Sequence, residues 1–566
     1  MHRLRRRTAF ALSLTLSSVL SVTRLDAIHA TARPRAERPR PAHAVRYMQV
    51  VAHPDDDLLF MNPDLSRVLA SGDPAVTVFT TAGQKTGAGT TGAERARNRQ
   101  RGILNAYAAM ADAADGDRDS QREWAYELLT LGVHQVERYR LRARPEIQVV
   151  FAGLPDGGMH GLVQGADLLS VIPAGRPVTA TRYLRADAVG LLRTLMLRYR
   201  PTVLRVQDVR PEGRDHADHV TTARLATEAA AGIVPVVLGY RAYNIRLAPP
   251  NLSEAEAARK LAVFDEYRHR EPDGSFRYHA FSNQLEKYTR RMYPRSPLGT
   301  GWAARQDGMI TLYRVVGGSV RVVRRIGEGW ASLDLPPGGG ALAPGVTADE
   351  QGVLGVRLDD HHVVRWDGAS WHDLGCPGGR RPELTGTPLA AGPDVYVRDG
   401  DGGVSVLRGG ETRWRRLGGR FVQDGLATDG SAVYASTRAT RNGPPARLLR
   451  YAGGRVVALA ASPSGPPTVA SGGRVVFRGR GGLSSLTGDL GGGGSGQAAA
   501  AGALLFERDA SGGVSVHGEE GWTSLGGTIV DSPSAVRDGS SFWVFGLGAD
   551  GRIWARHGLS PWESPA

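Results

Sequence analysis

The segment Val45–Phe60, VRYMQVVAHPDDDLLF, places one histidine and three carboxylates directly after a run of apolar residues. The apolar run predicts a buried strand, and Pro54 ends its hydrogen-bond ladder. Asp55, Asp56 and Asp57 then stand where a following helix would begin. Imidazole and carboxylate groups are the donors that metal binding and proton transfer require. The segment therefore predicts a chemical site at a strand end.

A second cluster of the same residue types occurs at Asp215–Val220, DHADHV. It follows the apolar run Val203–Val206 and opens a helical pattern over Thr221–Ala231. His216 and His219 would share one helical face, which suits a metal ion, although such pairs also occur solvated or packed in a core. Acidic residues in a first helical turn are common as caps, so each cluster alone also fits a structural role. Together they supply three N and O ligands, the usual protein share of a catalytic zinc site with an open fourth position.

Three motifs resemble the PIG-L/LmbE family of zinc N-deacetylases: AHPDD at Ala52–Asp56, HADH at His216–His219, and the turn Pro155-Asp156-Gly157 after Val149–Leu154. The resemblance extends from about Tyr47 to about Tyr293. It implies a Rossmann-like α/β fold and a zinc ion bound by His53, Asp56 and His219.

The resemblance also implies roles around the metal. Asp55 would be the general base, and His216 would stabilise the oxyanion or protonate the leaving amine. Asp218 would orient His216. Two positions depart from the family pattern: Asp57 stands where the family usually has Glu, and Gln100 lies near a common Arg-x-x-Glu pattern on the first long helix.

Four further residues are predicted to contact the substrate. Arg97 and Arg99 lie on the first long helix, and the resemblance implies that one of them contacts a sugar. Asp156 and Asp208 each follow a predicted strand, as His53 and His216 do. In an open α/β sheet, ligands bind at the carboxyl ends of the strands, which favours these positions.

Amide hydrolysis needs these residue types for a chemical reason. An amide is a poor electrophile with a poor leaving group, so a metal must polarise the acetyl carbonyl and lower the pKa of bound water. A carboxylate beside that water removes its proton, and an imidazole opposite stabilises the oxyanion or delivers a proton to nitrogen. Asp55 and His216 suit these two roles, and Asp218 suits the support of its neighbour.

The first half of the chain alternates apolar strands with helical stretches. Strands are predicted at Val45–Ala52, Ala75–Thr81, Ile147–Ala152, Thr202–Gln207 and Pro235–Tyr240, and helices at Ala93–Met110 and Asp187–Tyr199. This series predicts a mainly parallel sheet with helices on both faces.

The glycines of Gly87–Gly92 match the G-x-G-x-x-G pattern of dinucleotide binding, but no acid ends the next strand about 20 residues later. We therefore interpret them as a loop at the rim of the crevice, with a dehydrogenase as the weaker alternative.

After about Pro297 the sequence consists of short β runs, glycines and recurrent tryptophans. Trp330, Trp371, Trp414 and Trp522 each lie three residues before a leucine, and the first three are 41 and 43 residues apart. This period is typical of four-stranded propeller blades and predicts roughly five to seven of them. The unit is loosely similar to tryptophan-rich propellers of bacterial lectins. The tryptophans suit either sugar binding or packing between blades.

The composition limits the compartment and the partners. Of the net charge of +14, half belongs to residues 1–40, where nine arginines stand against Asp26 and Glu37. No basic stripe interleaved with aromatics is visible, so no nucleic-acid partner is expected.

The basic start, the apolar run Thr8–Val22 and Ala30-Thr31-Ala32 predict a bacterial export signal, with an uncleaved anchor as the alternative. The single cysteine, Cys376, supplies neither an internal disulfide nor a metal cluster.

The sequence thus predicts an export signal at 1–32, an Arg/Pro-rich spacer at 33–44, a deacetylase domain at 45–297 and an all-β propeller at 298–566. The predicted function is secreted or cell-surface zinc-dependent removal of acetyl from an N-acetylglucosamine-type sugar or glycoconjugate, with no stable membrane span. The alternative is a carbohydrate-binding surface protein whose first domain is inactive. A fragment ending near Pro297 is expected to fold and act on a small substrate alone.

Overall fold

The computed structural model describes residues 45–85, 91–114, 122–211, 215–268, 286–439, 445–459, 461–479 and 482–565. The predicted export signal, the Arg/Pro-rich spacer and most of the glycine loop at 87–92 lie outside the described residues. Gly92 is described and begins the first long helix, where Thr91 and Glu94 form a reciprocal capping box.

The first half of the chain has the predicted α/β alternation. Its strands are β1 (Tyr47–Val51), β2 (Ala75–Thr81), β3 (Trp124–Leu131), β4 (His134–Leu141), β5 (Ile147–Leu154), β6 (Leu168–Leu169), β7 (Arg182–Tyr183), β8 (Val203–Gln207) and β9 (Val236–Tyr240). Its helices are α1 (Asp56–Phe60), α2 (Asp64–Ser71), α3 (Gly92–Met110), α4 (Met159–Val163), α5 (Arg185–Tyr199), α6 (Ala217–Ala230) and α7 (Glu254–Arg268), with a 3₁₀ turn at Tyr243–Leu247.

Seven strands form one sheet in the order β3-β4-β5-β2-β1-β8-β9. The pairs from β5 to β9 are parallel, whereas β3 and β4 add an antiparallel edge. The chain moves outward from β1 in one direction through β2 and in the other through β8, so the order reverses between β1 and β8. Ligand crevices of open α/β sheets form at such a reversal.

The sheet separates two cores because successive side chains point to opposite faces. Tyr47 and Val51 pack with α3 and α7 on one face. Met48 and Val50 pack with α4, α5 and α6 on the other. Burial on both faces explains the continuous apolar runs of the central strands.

The second half forms a propeller of seven antiparallel sheets, at the upper end of the predicted range. Blades 1 to 4 consist of β10 (Ala303–Gln306), β11 (Met309–Val316), β12 (Ser319–Ile326), β13 (Gly329–Asp334); β14 (Thr347–Asp349), β15 (Gly352–Val356), β16 (Val363–Trp366), β17 (Trp371–Asp373); β18 (Leu389–Ala391), β19 (Asp394–Arg398), β20 (Val404–Leu407), β21 (Arg415–Gly418); and β22 (Ala427–Thr428), β23 (Val433–Ser436), β24 (Leu448–Ala452), β25 (Arg455–Leu459). Blades 5 to 7 consist of β26 (Thr468–Ala470), β27 (Arg474–Arg478), β28 (Leu483–Ser485), β29 (Gly488–Gly491); β30 (Ser495–Ala501), β31 (Leu504–Arg508), β32 (Val514–Gly518), β33 (Gly521–Gly526); and β34 (Ser534–Asp538), β35 (Ser541–Leu547), β36 (Ile553–His557).

The repeated tryptophans lie on or beside the fourth strands and join neighbouring blades. The indole N–H of Trp371 donates to Pro336 O at 2.8 Å, that of Trp414 to Leu374 O at 2.8 Å, and that of Trp522 to Leu490 O at 2.8 Å. Each acceptor lies at the outer end of the preceding blade. The half-buried indoles therefore have a packing role, one of the two alternatives that the sequence left open.

The first blade also contacts the last. Trp330 in β13 donates its indole N–H to Glu563 Oε1 at 2.8 Å, and Glu563 pairs with Ala555 of β36 in the place of a fourth strand. Ser534 Oγ donates to Thr300 O at 2.6 Å on the inner side of the same junction. Residues near the end of the chain thus close the ring.

Residues 45–566 form one compact unit, and one core cluster continues from the α/β sheet into the propeller. Phe264 of α7 and Trp302 before the first blade belong to this same cluster. At the interface, the guanidinium of Arg205 in β8 donates to Ala549 O at 3.0 Å. The shared core argues against the expectation that the first half folds alone.

Candidate active site

The two predicted clusters meet at the reversal of the sheet. His53 follows β1 in a tight turn, in which the backbone N–H of Asp55 donates to His53 O at 2.8 Å. His216 is the N-cap of α6, the helix that follows β8. Because β1 and β8 are parallel neighbours, their carboxyl ends bring the turn and the helix start together.

His53, Asp56 and His219 form a buried triangle of donor atoms. His53 Nδ1 lies 3.3 Å from Asp56 Oδ2, Asp56 Oδ1 lies 3.1 Å from His219 Nε2, and the two ring nitrogens are 3.2 Å apart. Zinc bonds of about 2.0–2.1 Å in a tetrahedron place neighbouring ligands about 3.3 Å apart. The donor types and their spacing therefore fit a zinc-class ion. Each of the three residues is at most 6% exposed.

The outer nitrogen of each histidine faces a carboxylate. His53 Nε2 lies 3.3 Å from both Asp156 Oδ1 and Asp218 Oδ2. His219 Nδ1 lies 2.9 Å from Asp215 Oδ1. A metal-binding histidine typically donates its second N–H to a carboxylate, which fixes the ring orientation and raises ligand basicity. Each ring thus points one nitrogen into the triangle, and a neighbouring carboxylate contacts the other nitrogen.

The carboxylates create a field that favours positive charge at the triangle. Burial, the largest influence, lowers the pKa of His53, but Asp56, Asp156 and Asp218 outweigh it and raise that pKa well above its usual value. Burial likewise lowers the pKa of His219, yet Asp56 and Asp215 raise it to about 9. For Asp56, burial raises the pKa, and the two histidines hold it well below its usual range. A bound cation would meet the same attraction.

His216 is half-buried and lies at the edge of the triangle. Its ring centroid is 4.8 Å from that of His53, and one of its nitrogens lies within 4.8 Å of donor atoms of His53 and His219. Burial, followed by the two neighbouring histidines, lowers its pKa. Its Nδ1 accepts the backbone N–H of Asp218 at 3.2 Å, so the neutral ring carries its hydrogen on Nε2.

Asp218 has a different partner from the one predicted. Its carboxylate contacts His53 Nε2 and accepts the backbone N–H of Gly157 at 2.6 Å and of Met159 at 3.1 Å. The contact with His216 described by the structure is made by the backbone of Asp218. The expected orientation of His216 by the Asp218 carboxylate is therefore not observed among the described contacts. The backbone of the turn after β5 thus binds the Asp218 carboxylate at the start of α6.

Asp55 and Asp57 have different surroundings. Asp55 precedes α1, and its Oδ2 lies 3.5 Å from a guanidinium nitrogen of Arg99. Asp57 is fully buried, accepts the hydroxyl of Tyr107 and accepts the backbone N–H of Leu58 at 2.9 Å. Burial raises the pKa of Asp57 to about 7 despite these bonds. Asp57 therefore anchors the start of α1.

The predicted substrate-contacting residues divide into two groups. Asp156 joins the cluster at His53, and Arg99 reaches Asp55. Arg97 instead donates to the hydroxyl of Tyr139 at 3.0 Å, and Asp208 pairs with Arg295 at 2.7 Å. The described contacts of Arg97 and Asp208 are thus with protein groups outside the histidine cluster.

Sequence reasoning missed three residues at this site. Asp215 was named in the second cluster but given no role; it lies just before the N-cap of α6, four positions before His219, and its carboxylate reaches His219 Nδ1. Tyr243 packs beside His219 with centroids 4.9 Å apart, and Lys85 Nζ lies 3.7 Å from Asp156 Oδ1. Tyr243 and Lys85 lie far from the two motifs along the chain, so no local signal connects them to the site.

The family model of PIG-L, described as GlcNAc-PI de-N-acetylase, matches residues 48–230. This stretch is a PIG-L domain. It contains both clusters, the turn at Asp156 and every predicted site residue. Deacetylases of the PIG-L family are metal-dependent, in agreement with the donor triangle of this PIG-L domain.

Several solved structures show distant similarity. A conserved protein of Thermus thermophilus is 19% identical over 45% of this chain and 95% of its own, with a TM-score of 0.25. The N,N'-diacetylchitobiose deacetylase of Pyrococcus horikoshii is 15% identical over 42% of this chain and 75% of its own, with a TM-score of 0.27. PorZ, a surface component of the type-IX secretion system of Porphyromonas gingivalis, is 13% identical, with a TM-score of 0.35; the similarity covers 47% of this chain and only 39% of PorZ.

No curated protein matches the chain. Within the part of the chain that the structure describes, no helix has the length and apolar character that a membrane crossing requires.

Proposed function

We propose that the chain is a zinc-dependent N-deacetylase that removes acetyl from an N-acetylglucosamine-type sugar or glycoconjugate. The observation that carries this proposal is the donor triangle of His53, Asp56 and His219 inside a PIG-L domain, with Asp55 and His216 beside it. The products would be acetate and the free amine.

We assign the metal to the triangle because its three donors converge and the outer nitrogens of both histidines already have carboxylate partners. A zinc ion held there would polarise the acetyl carbonyl and lower the pKa of a water molecule toward neutrality. The alternative set of His53, His216 and His219 is also close enough to hold an ion. It would remove His216 from proton transfer, so we favour the set that contains Asp56.

Asp55 is our candidate for the general base. It follows His53 by two residues and lies next to Asp56, and its carboxylate lies 3.5 Å from a guanidinium nitrogen of Arg99. Asp57 is a poorer candidate, because Tyr107 and the backbone of Leu58 already bind its oxygens deep in the core. Asp55 would accept a proton from the attacking water as the C–O bond forms.

His216 is our candidate for the group opposite the base. Its neutral tautomer carries the Nε2 hydrogen, and its lowered pKa keeps the neutral form populated. Nε2–H would donate to the oxyanion as the carbonyl becomes tetrahedral. As the C–N bond breaks, the leaving nitrogen takes the proton that Asp55 removed from the water, either directly or through His216, and Asp55 returns to its carboxylate form.

The remaining polar residues of the cluster would support the metal ligand or contact the sugar. Asp218, together with Asp156, would hold the ligand His53 in place, rather than orient His216. Of the four residues that the sequence predicted to contact substrate, we keep Arg99 and Asp156 in that role, since both lie at the cluster.

The test is acetate release by the zinc-loaded full chain across a panel of N-acetylated glucosamine glycosides and oligosaccharides. Release from at least one member, lost on chelation and restored by zinc, supports the proposal. No release from any member, with zinc bound, would favour the carbohydrate-binding alternative.

We also propose export to the cell surface or medium, from the basic, apolar and small-residue segments at 1–32. Amino-terminal sequencing of the secreted protein tests this. A mature start near residue 33 is expected, and retention of Met1 in a cytoplasmic protein would contradict it.

A further inference from the structure

A pocket of about 470 Å³ opens between blades 3 and 4 of the propeller. Its walls are the segment that precedes β18, the turn between β19 and β20, and the connection from β21 to β22. Arg398 at the end of β19 and Arg438 after β23 complete the lining. The volume falls within the range of about 300–1,000 Å³ that is usual for small-molecule sites, and it accommodates a sugar ring.

The two carboxylates of the lining are already bonded to neighbouring groups. Asp399 accepts from Arg416 Nε at 3.1 Å, Ser405 Oγ at 3.0 Å and the backbone N–H of Gly403 at 2.9 Å. Asp401 accepts from Arg380 Nε at 3.0 Å. Asp399 is thus paired with Arg416, and Asp401 with Arg380.

Arg398 and Arg438 have no carboxylate partner among the described residues. Arg398 donates to Leu384 O, and its buried Nε has no hydrogen-bond partner within the described part of the chain. Burial, and then the charge of Arg398, lowers the pKa of Arg438. Two neighbouring guanidinium groups without an anion make this pocket favourable for a negatively charged ligand.

Phe421 gives the pocket an aromatic wall. The ring is half-buried, with the guanidinium of Arg420 at 5.2 Å and that of Arg438 at 5.6 Å from its centroid. Its backbone adopts φ 58°, an uncommon conformation for a bulky residue. Hydrogen bonds from Arg438 N to Phe421 O at 2.9 Å and from Val422 N to Gly402 O at 3.0 Å hold this conformation. Such local strain concentrates at ligand sites.

We propose that this pocket binds a carboxylate-bearing sugar residue, of the uronic acid type, from an acidic glycan. The two guanidinium groups supply paired N–H donors that match a carboxylate, and the ring of Phe421 supplies an apolar face for the pyranose. This binding goes beyond the proposed hydrolysis and does not depend on it.

The pocket lies on the face of the propeller that contacts the PIG-L half. Arg398 and Leu384 also line a central cavity of about 200 Å³, whose lining includes Arg241 and Pro249 from the first half of the chain. Burial, and to a smaller extent the charges of Arg290 and Arg438, lower the pKa of Arg291, which likewise precedes the propeller. An acidic glycan bound here would therefore lie beside the domain that carries the proposed active site.

The test is isothermal titration of the full-length protein with tetragalacturonic acid, with maltotetraose as the neutral counterpart and inorganic phosphate as the small anion. We expect binding of the acidic tetrasaccharide that weakens with added salt. Arg398→Gln and Arg438→Gln should each weaken it by about tenfold or more. Arg455→Gln removes an exposed arginine from β25 in blade 4 and should leave binding unchanged.

Three results would overturn the proposal: equal binding of maltotetraose, acidic-sugar binding that survives both substitutions, or binding of phosphate without the tetrasaccharide. Absence of all binding would overturn it as well. The Arg438 side chain is partly accessible to solvent, so its substitution should leave a folded protein even if loss of the Arg398 bond to Leu384 disturbs blade 3. Acetate release is read separately, so failure of hydrolysis and failure of glycan binding are distinguishable.

Discussion

Arg508 of the propeller forms a buried ion pair with Glu256 of α7, with Nη2 and Oε1 2.6 Å apart and the two side chains 1% and 0% exposed. Arg67 of α2 contacts the same carboxylate at 2.5 Å. The backbone N–H of Ser253 donates to it at 3.0 Å. One carboxylate in the first half of the chain therefore fixes an arginine of blade 6, which makes the interface specific in position.

Glu256→Gln should destabilise the whole unit. Arg508 and Arg67 would lose their counter-charge, and breaking a buried pair in this way costs about 3–5 kcal/mol in the free energy of unfolding. Glu254→Gln on the same helix is the matched control, because its carboxylate is 77% exposed and pairs with Arg290. That substitution should cost about 1 kcal/mol or less. Chemical denaturation at neutral pH measures both.

The lowered pKa of Glu256 predicts that the stability of the protein depends on pH. Burial raises the pKa of Glu256, but Arg508 and the Ser253 backbone outweigh it and lower the pKa from 4.5 to about 2. Because the folded-state pKa lies below the unfolded value, the contribution of Glu256 to the free energy of unfolding is complete above pH 4.5. It is lost as the pH falls toward 2. The stability difference between wild type and Glu256→Gln should therefore narrow over this window. A stability difference that stays constant between pH 4.5 and pH 2 would contradict the ion pair of Glu256 with Arg508.

A fragment ending at Pro297 should fail to form a stable monomer, contrary to the sequence-based expectation. Truncation exposes the core that the sheet shares with the propeller and leaves Glu256 and Arg67 without Arg508. Size-exclusion chromatography and amide hydrogen exchange check this, with a chain that begins at Val45 as the folded control. A monomeric fragment with protected amides in β1 and β8 would show that the interface is dispensable.

Trp371→Phe should weaken the junction between blades 1 and 2 rather than abolish sugar binding. The indole donates to Pro336 O and packs over Gly338, whose added Cβ would lie 3.3 Å from the ring. Loss of the hydrogen bond should cost about 1 kcal/mol in the free energy of unfolding. Thermal unfolding measures the cost. Glycan affinity reduced at unchanged stability would instead assign the tryptophan to a sugar site.

His219→Ala should remove the metal, because it deletes one corner of the triangle. Elemental analysis should find about one zinc-class ion per chain in the wild type and almost none in the variant. Asp215→Asn should keep the protein folded and weaken metal affinity by about 10–100-fold, the usual effect of losing the carboxylate behind a ligand. Full occupancy in His219→Ala would exclude the proposed ligand set.

The strands that position the site could be predicted because each is a buried apolar run that ends in polar residues. The predicted bounds of β2 are those observed, and β1, β5, β8 and β9 differ by one or two residues at their ends. The hairpin of β3 and β4 was missed. The edge strand β3 is largely exposed, and β4 buries charged side chains such as Glu137 and Arg138, so neither strand shows a continuous apolar run.

The site was less predictable than the fold where contacts depend on distant segments. Sequence spacing brings His216 and His219 onto one helix start, and the structure agrees. The contact of Asp218 with His53 depends on how the turn at Gly157 packs against α6, which no local pattern encodes. The core shared with the propeller could not be predicted for the same reason. An apolar residue is expected to be buried in either half, and its sequence does not show which half it packs against.

Asp55→Asn provides the most direct test of the proposed hydrolysis. Acetate release from an N-acetylglucosamine glycoside is measured for zinc-loaded wild type and for the variant, with zinc content determined on the same samples. The wild type should turn over, and the variant should keep its zinc while losing about two to four orders of magnitude in rate, the range for a positioned acid–base group. A zinc-loaded wild type that releases no acetate, or a variant as active as the wild type, would contradict the account.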